Sequence, residues 1–290
     1  MLKEVLQTYP QPIAYAYGNI YRAGSEPGQL DQIMRCAEVT TRYLAAMAIA
    51  SFAARTDSTI QPPNAFKDFQ GNLSFGHFLS IVQAVSSLSG KHPLMTQFSQ
   101  SFRAKKSPAK SKLEELIGLR NRIGHDLKGL AEARARQVIA NECPLEKLED
   151  LLSGIFPLCS LPLFLVDTQK PIKKVNHITR LLLMGESGEP VPQTIPVSGV
   201  FMDGKRLFIG TADGALPLHP MLVWGLERNR AAQSIYLIHQ VNQDRLEYRS
   251  LAAENQPSES PLPEDLLFLM RGEAVPIETI NREHPIFARG

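Results

Sequence analysis

Residues 28–55, GQLDQIMRCAEVTTRYLAAMAIASFAAR, form the longest helical pattern in the chain and decide how the rest of it must pack. Apolar residues recur at Leu30, Ile33 and Ala37, which is roughly the period of an α-helix. The second half of the stretch is apolar almost all round. Because such a helix has to be covered on several sides, the sequence predicts a central, buried helix.

Composition limits the class of protein. The chain has 290 residues, of which 43% are hydrophobic and 21% charged, so it can build a packed core. The net charge is only +2, so any attraction to nucleic acid has to come from a local patch. Cys36, Cys143 and Cys159 are widely spaced, which favours a reducing cytoplasm over a disulfide framework or a zinc cluster. No apolar run reaches ~18 residues, so we expect no membrane segment and no signal peptide.

The two halves of the chain differ in the period at which apolar residues recur. Helical patterns at 12–23, 74–90 and 144–161 accompany the long helix, and a further helix is predicted from residue 112 onward. Later segments resemble strands separated by turn dipeptides such as Asp203-Gly204, and a late helix is predicted at 261–272.

These patterns predict an α+β fold. We expect an N-terminal α-helical bundle at residues 1–165, followed by a small antiparallel β-rich domain at residues 166–290.

An unusual polar group lies on the helix that follows residue 112, in the stretch LRNRIGHDLKGL at 119–130. Arg120 shares a face with the apolar residues Leu113 and Leu116, and a buried guanidinium is costly unless it is paired. Two explanations stay open. Arg120 pairs with an internal carboxylate such as Asp31 or Glu38, or it lines a polar groove, for example one at a subunit interface.

Arg120, Asn121 and His125 together have the chemistry of a phosphodiester site. An arginine supplies a fixed positive charge and a bidentate donor for a phosphate. A histidine titrates near neutrality and can take a proton from a ribose 2′-OH or give one to a leaving oxygen. This chemistry needs no metal ion, and we expect no metal or cofactor.

The pattern Arg120-Asn121-x-x-x-His125 resembles the signature of the HEPN superfamily, and the N-terminal stretch from Tyr9 to Ala50 is similar to the openings of HEPN-like modules in bacterial signalling and defence proteins. The resemblance implies a helical bundle that dimerises so that two motifs face each other. It also implies a metal-independent endoribonuclease, with Arg120, Asn121 and His125 as the catalytic residues. Relatives with this arrangement tend to carry a cysteine pair after the LHP segment, which this chain lacks, so a zinc knuckle is not expected.

Basic residues cluster just before the motif, and Arg122 lies within it. We expect Arg103, Lys105, Lys106, Lys110 and Arg122 to contact RNA, although such a charge run is also typical of a solvated loop. The competing hypothesis is a non-catalytic dimerisation and recognition module in a multi-protein defence assembly, in which Arg120 and His125 hold the bundle together.

Overall fold

The protein has an α+β fold in which N-terminal helices are followed by antiparallel sheets, as predicted. This computed structural model describes residues 2–54, 61–88, 93–103, 107–124, 127, 129–172, 175–187, 190–198, 206–211, 214–226, 233–242, 245–252, 257–262, 264–271 and 286–287. Among the described helices, none combines the length and apolar character needed to span a membrane.

The helical part occupies residues 3–159, with one further helix near the C-terminus. The helices are α1 Lys3–Thr8, α2 Gln11–Arg22, α3 Glu26–Ala53, α4 Phe75–Ser86, α5 Pro93–Phe98, α6 Pro108–Ile123, α7 Glu132–Glu142, α8 Pro144–Gly154, α9 Phe156–Cys159 and α10 Glu264–Arg271. A 3-10 turn at Asn64–Phe66 precedes α4, and a π-helical turn at Ser99–Arg103 follows α5.

Helix α3 is the central helix that the sequence predicts. The Ser25 hydroxyl accepts a hydrogen bond from the Gly28 N–H (3.2 Å) and caps its N-terminus, and Pro27 lies in its first turn. Nearly every side chain from Thr40 to Phe52 is buried. Helix α3 is in contact with α2, α4, α5, α6, α7 and α8, which explains why its second half is apolar almost all round.

The strands form two antiparallel sheets. They are β1 Gly71–Asn72, β2 Leu163–Ile172, β3 Val175–Leu182, β4 Val191–Ser198, β5 Leu207–Thr211, β6 Gly214–Pro217, β7 Leu222–Leu226, β8 Gln233–Val241, β9 Arg245–Ser250, β10 Pro257–Pro261 and β11 Ile286–Phe287. One sheet has the order β11-β4-β3-β2-β5-β6. In the other, β1, β8, β9 and β10 follow one another, and β7 also pairs with β8.

Strand β2 connects the two halves of the chain and runs through the predicted domain boundary at residue 165. Successive side chains of a strand point to opposite faces. Leu163 and Leu165 therefore join the main hydrophobic core with the helices, whereas Phe164 and Val166 belong to a smaller cluster on the other face. The main core contains side chains from α3 as well as from β8, so helices and sheets share one apolar interior in the described part of the chain.

The helix that carries the motif is shorter than a continuous pattern to Leu127 suggests. Helix α6 ends at Ile123, and Gly124 has a φ of +95°, a conformation that favours glycine. The Gly124 N–H still bonds to the Arg120 carbonyl (3.0 Å). Arg120 and Asn121 of the motif therefore lie in the last turn of α6.

Two glycines on neighbouring helices give a matched test of this packing. A Cβ at Gly118 of α6 would lie 3.6 Å from the Arg122 Nη1, whereas one at Gly154 of α8 would lie 3.2 Å from the Ala109 Cβ. We expect Gly118→Ala to stabilise the protein by about 0.5–1 kcal/mol. Gly154→Ala should destabilise it by about 1 kcal/mol, because α6 and α8 must move apart. Urea unfolding of both variants measures the difference, and an equal gain for both would contradict close packing at Ala109.

Candidate functional site

Helix α3 carries a stripe of charged residues on one side of its otherwise apolar surface. Asp31, Arg35, Glu38 and Arg42 follow at spacings of four, three and four residues, which places them on one helical face. The Arg35 Nε lies 2.9 Å from an Asp31 carboxylate oxygen, and the Arg42 Nη2 lies 2.5 Å from the Glu38 Oε1. The stripe thus consists of two consecutive ion pairs, each between residues one helical turn apart.

Arg42 is the most deeply placed of these charges. Its side chain is only 8% exposed, and its Nη1 donates a hydrogen bond to the Ile238 carbonyl (2.7 Å) on β8. The guanidinium also lies over the Phe78 ring, 5.0 Å from its centroid. Its Nε is buried and has no hydrogen-bond partner among the described residues. Arg42 therefore joins α3 to the five-stranded sheet and still has donor capacity to spare.

The charged stripe forms one wall of a cavity of about 450 Å³ between α2, α3, α6, the start of α4 and the strands β8 and β9. Asn121, Ser74 and Arg249 are exposed and mark its rim, whereas Arg42 and Leu73 are buried in its interior. The further lining residues are Tyr15, Ala16, Asn19, Asp31, Gln32, Arg35, Glu38, Val39, Phe75, Gly76, Ile117, Arg120, Leu237, His239, Ser250 and Leu251.

The sheet contributes a histidine and an arginine to the cavity. The pairing of β8 with β9 shifts between Ile238 and Gln240, so His239 is the extra residue of a β-bulge. Burial, together with the charges of Arg249 and Arg42, lowers the pKa of His239 to about 4. The imidazole is therefore neutral at pH 7, and its Nδ1 is buried without a hydrogen-bond partner among the described residues.

Arg120 and Asn121 from the predicted motif both line this cavity. Arg120 is half-buried, and no carboxylate of the described residues lies within 4 Å of its guanidinium, whereas Arg35 and Arg42 each have an acidic partner. The two carboxylates proposed from the sequence, Asp31 and Glu38, line the same cavity as Arg120. Arg120 therefore lines a polar cavity, as the second explanation expects, and forms no ion pair with Asp31 or Glu38.

The electrostatics of Glu38 show how closely these groups interact. Burial alone would raise the pKa of the Glu38 carboxyl, but the positive charges of Arg42 and Arg120 outweigh it and hold that pKa below its usual value. Glu38 is therefore ionised at neutral pH.

His125, Lys105 and Lys106, which the sequence predicts as site residues, lie outside the described residues. The other predicted RNA contacts do not line the cavity. Arg103 is exposed at the end of the π-helical turn, and Lys110 lies 3.8 Å from Glu114. Arg122 lies 3.0 Å from Glu142, with 60% of its side chain exposed. Exposed ion pairs of this kind are weak, so both cations remain open to exchange for a phosphate.

Sequence reasoning missed Arg35, Arg42, His239 and Arg249. The spacing of charges on α3 was a usable signal for the first two, because four charged residues interrupt an apolar helix on one face. Nothing local marks the other two, which reach the cavity only through the register of β8 and β9. Within the described part of the chain, no three His, Cys, Asp or Glu side chains are grouped so that they could hold a metal ion.

Comparison with known proteins gives no match for this chain among family models, curated proteins or solved structures. The resemblance to the HEPN superfamily therefore rests on the motif residues and on the sequence pattern around them.

Replacing Arg42 tests the importance of its ion pair. Arg42→Met should destabilise the protein by about 3 kcal/mol, because it leaves Glu38 without its partner and the Ile238 carbonyl without its donor. Arg122→Met removes an arginine from an exposed ion pair with Glu142, and we expect a much smaller loss of stability. Chemical denaturation compares the two variants, and equal losses would show that Arg42 does not join helix and sheet.

His239 should make stability depend on pH. In the unfolded chain a histidine binds its proton below about pH 6.5, whereas His239 in the folded protein stays neutral down to about pH 4. The unfolded state therefore binds more protons between these values, and folding becomes less favourable as the pH falls. Because His239 is partly exposed, we expect its share of the loss to be about 1 kcal/mol.

The measurement is the free energy of unfolding in urea at pH 7.5, 6, 5 and 4.5 for the wild type and His239→Gln. The wild type should lose more stability than the variant over this range. Parallel curves for the two proteins would refute the lowered pKa of His239.

Proposed function

We propose that the protein is a metal-independent endoribonuclease that acts in the bacterial cytoplasm, in defence or in toxin–antitoxin regulation. The observation that carries this proposal is the position of Arg120. It lies half-buried in a cavity that reaches the surface, without a carboxylate of the described residues within 4 Å, and Asn121 lies next to it at the rim. A guanidinium in that position is available to a phosphate, whereas one built only to stabilise the bundle would be paired inside it.

The chemistry assigns one role to each motif residue. Arg120 binds the scissile phosphate and stabilises the charge that develops on it in the transition state. His125 takes the proton from the ribose 2′-OH or gives one to the 5′ oxygen that leaves. The 2′ oxygen forms a bond to phosphorus as the bond to the 5′ oxygen breaks, which yields a 2′,3′-cyclic phosphate and a 5′-OH. Asn121 positions the phosphate or Arg120.

The proposed partners follow from the same surface. RNA would lie across the end of α6, where Asn121 and Arg122 are exposed, and extend toward Arg103 and Lys110. Lys105 and Lys106 are proposed as contacts from the sequence alone. Lys110 is ten residues before Arg120 on the same helix, about 15 Å away along its axis, a distance that a few nucleotides can cover. A second protomer would bring its own motif to this end of α6. The β-rich part would bind RNA or a protein partner.

A second function is favoured by the acidic residues of the cavity. Asp31 and Glu38 place two carboxylates among the arginines, and the charge of Arg120 acts on Glu38. Both carboxylates are paired with arginines of their own helix, which fits a non-catalytic recognition module in which these charges stabilise the fold.

Cleavage assays separate the two functions. The purified full-length protein is incubated with mixed RNA in EDTA, and the ends of the products are analysed for 2′,3′-cyclic phosphate. We expect the wild type to cleave. His125→Ala should reduce the rate by roughly 10²–10⁴-fold, and Arg120→Met by roughly 10²–10³-fold.

Arg134→Ala is the matched control. Arg134 is an exposed arginine on α7 that bonds to Gln137 of the same helix and does not line the cavity, so its loss should leave cleavage unchanged. Cleavage that persists at full rate in both motif variants would show that the activity comes from elsewhere. Folded wild-type protein that cleaves no RNA would favour the recognition module.

A further inference from the structure

We propose that the cavity between α3 and the five-stranded sheet binds the phosphate monoester of a small organic molecule. Its phosphoryl group would lie among Arg42, Arg120 and Arg249, and its organic part against the apolar residues of the lining. The inference concerns a small ligand within the interior of a single chain and does not depend on RNA cleavage.

The charge of the cavity fits a dianion. Arg42, Arg120 and Arg249 face the single carboxylate of Glu38, and the other pair of the lining, Arg35 with Asp31, is matched within itself. Glu247 acts on Arg249 from outside the lining, where it accepts a hydrogen bond from Asn242 (2.7 Å). The described lining therefore has two positive charges in excess, and a phosphate monoester carries about −1.5 to −2 at pH 7.

Unused donors point to an oxyanion. The Arg42 Nε is buried in the cavity wall and has no hydrogen-bond partner among the described residues. Phe75 and Gly76, the first two residues of α4, also line the cavity, and N–H groups at these positions have no acceptor within their own helix. Helix α4 is twelve residues long, and the positive end of its dipole lies at these two residues. Guanidinium and backbone N–H groups together are what a phosphoryl group with three acceptor oxygens requires.

Size and lining point to an organic group beyond the phosphate. A cavity of about 450 Å³ is far larger than a phosphate ion and lies in the range of small-molecule sites, about 300–1,000 Å³. The lining also contains apolar residues, among them Leu73, Phe75, Leu237 and Ile117. The organic part of a ligand would therefore exchange water for contacts with these apolar residues.

Calorimetric titration of the full-length protein at pH 7 tests the proposal. The probes are phenyl phosphate, glucose 6-phosphate and adenosine 5′-monophosphate, each beside its dephosphorylated form, with inorganic phosphate and benzylsuccinate as further arms. We expect at least one of the three monoesters to bind with a submillimolar Kd. Its dephosphorylated form should not bind measurably, and inorganic phosphate should bind more weakly.

Three variants locate the site. Arg249→Met should weaken the binding of that monoester by roughly tenfold, because it removes one charged donor from the rim. Glu38→Gln removes the opposing negative charge while keeping an acceptor for Arg42, so affinity should rise by about threefold or more. Arg245→Met is the matched control, since Arg245 is an exposed arginine of the same strand, lies 3.2 Å from Glu259 and does not line the cavity.

The proposal is overturned if none of the monoesters binds at millimolar concentration, or if benzylsuccinate binds as tightly as the best of them. Binding that is the same in Arg249→Met and Glu38→Gln as in the wild type would also overturn it. A protein that binds a monoester with the expected variant pattern but cuts no RNA would keep this inference and lose the proposed nuclease.

Discussion

The arrangement of the two halves depends on one buried guanidinium. Arg42 reaches out of the central helix, donates to the Ile238 carbonyl at 2.7 Å and to Glu38 at 2.5 Å, and thereby joins α3 to the five-stranded sheet. Apolar contacts alone would let the sheet slide over a helix that is apolar on most sides. The Arg42 charge fixes the position of the sheet on α3, because a shift that left the guanidinium unpaired would cost several kcal/mol.

The same constraint creates the cavity. Helix and sheet cannot close completely around a stripe of ion pairs, since charged groups need neighbours that are polar or hydrated. The bulge at His239 and the exposed end of Arg249 complete the wall from the other side. Arg120 and Asn121 of α6 line the same cavity, beside the polar groups of α3 and the sheet.

Much of the fold was predictable, since α2, α3, α4, α8 and most strands follow clear patterns. Helix α7 was not predicted, because it buries little beyond Ala135 and Val138 and is stabilised by helix propensity and by surface contacts such as Arg136 with Glu26 (2.8 Å). The Leu163–Val166 segment of β2 was not predicted because both of its faces are buried there, which removes the alternation that marks a strand.

For the candidate site, the sequence identified Arg120 and its carboxylate neighbours because a charge on an apolar helix face is a local anomaly. It could not identify Arg249 or His239. These residues are more than 100 positions from Arg120 in the sequence, and only the pairing of β8 with β9 places them at the cavity. A one-residue slip of β8 would turn Leu237 and His239 toward the opposite face and remove the sheet's part of the cavity. The local sequence thus specifies one side of this site, whereas the pairing of α3 with β8 through Arg42 specifies the other, so the chemistry of the cavity is a property of the assembled fold.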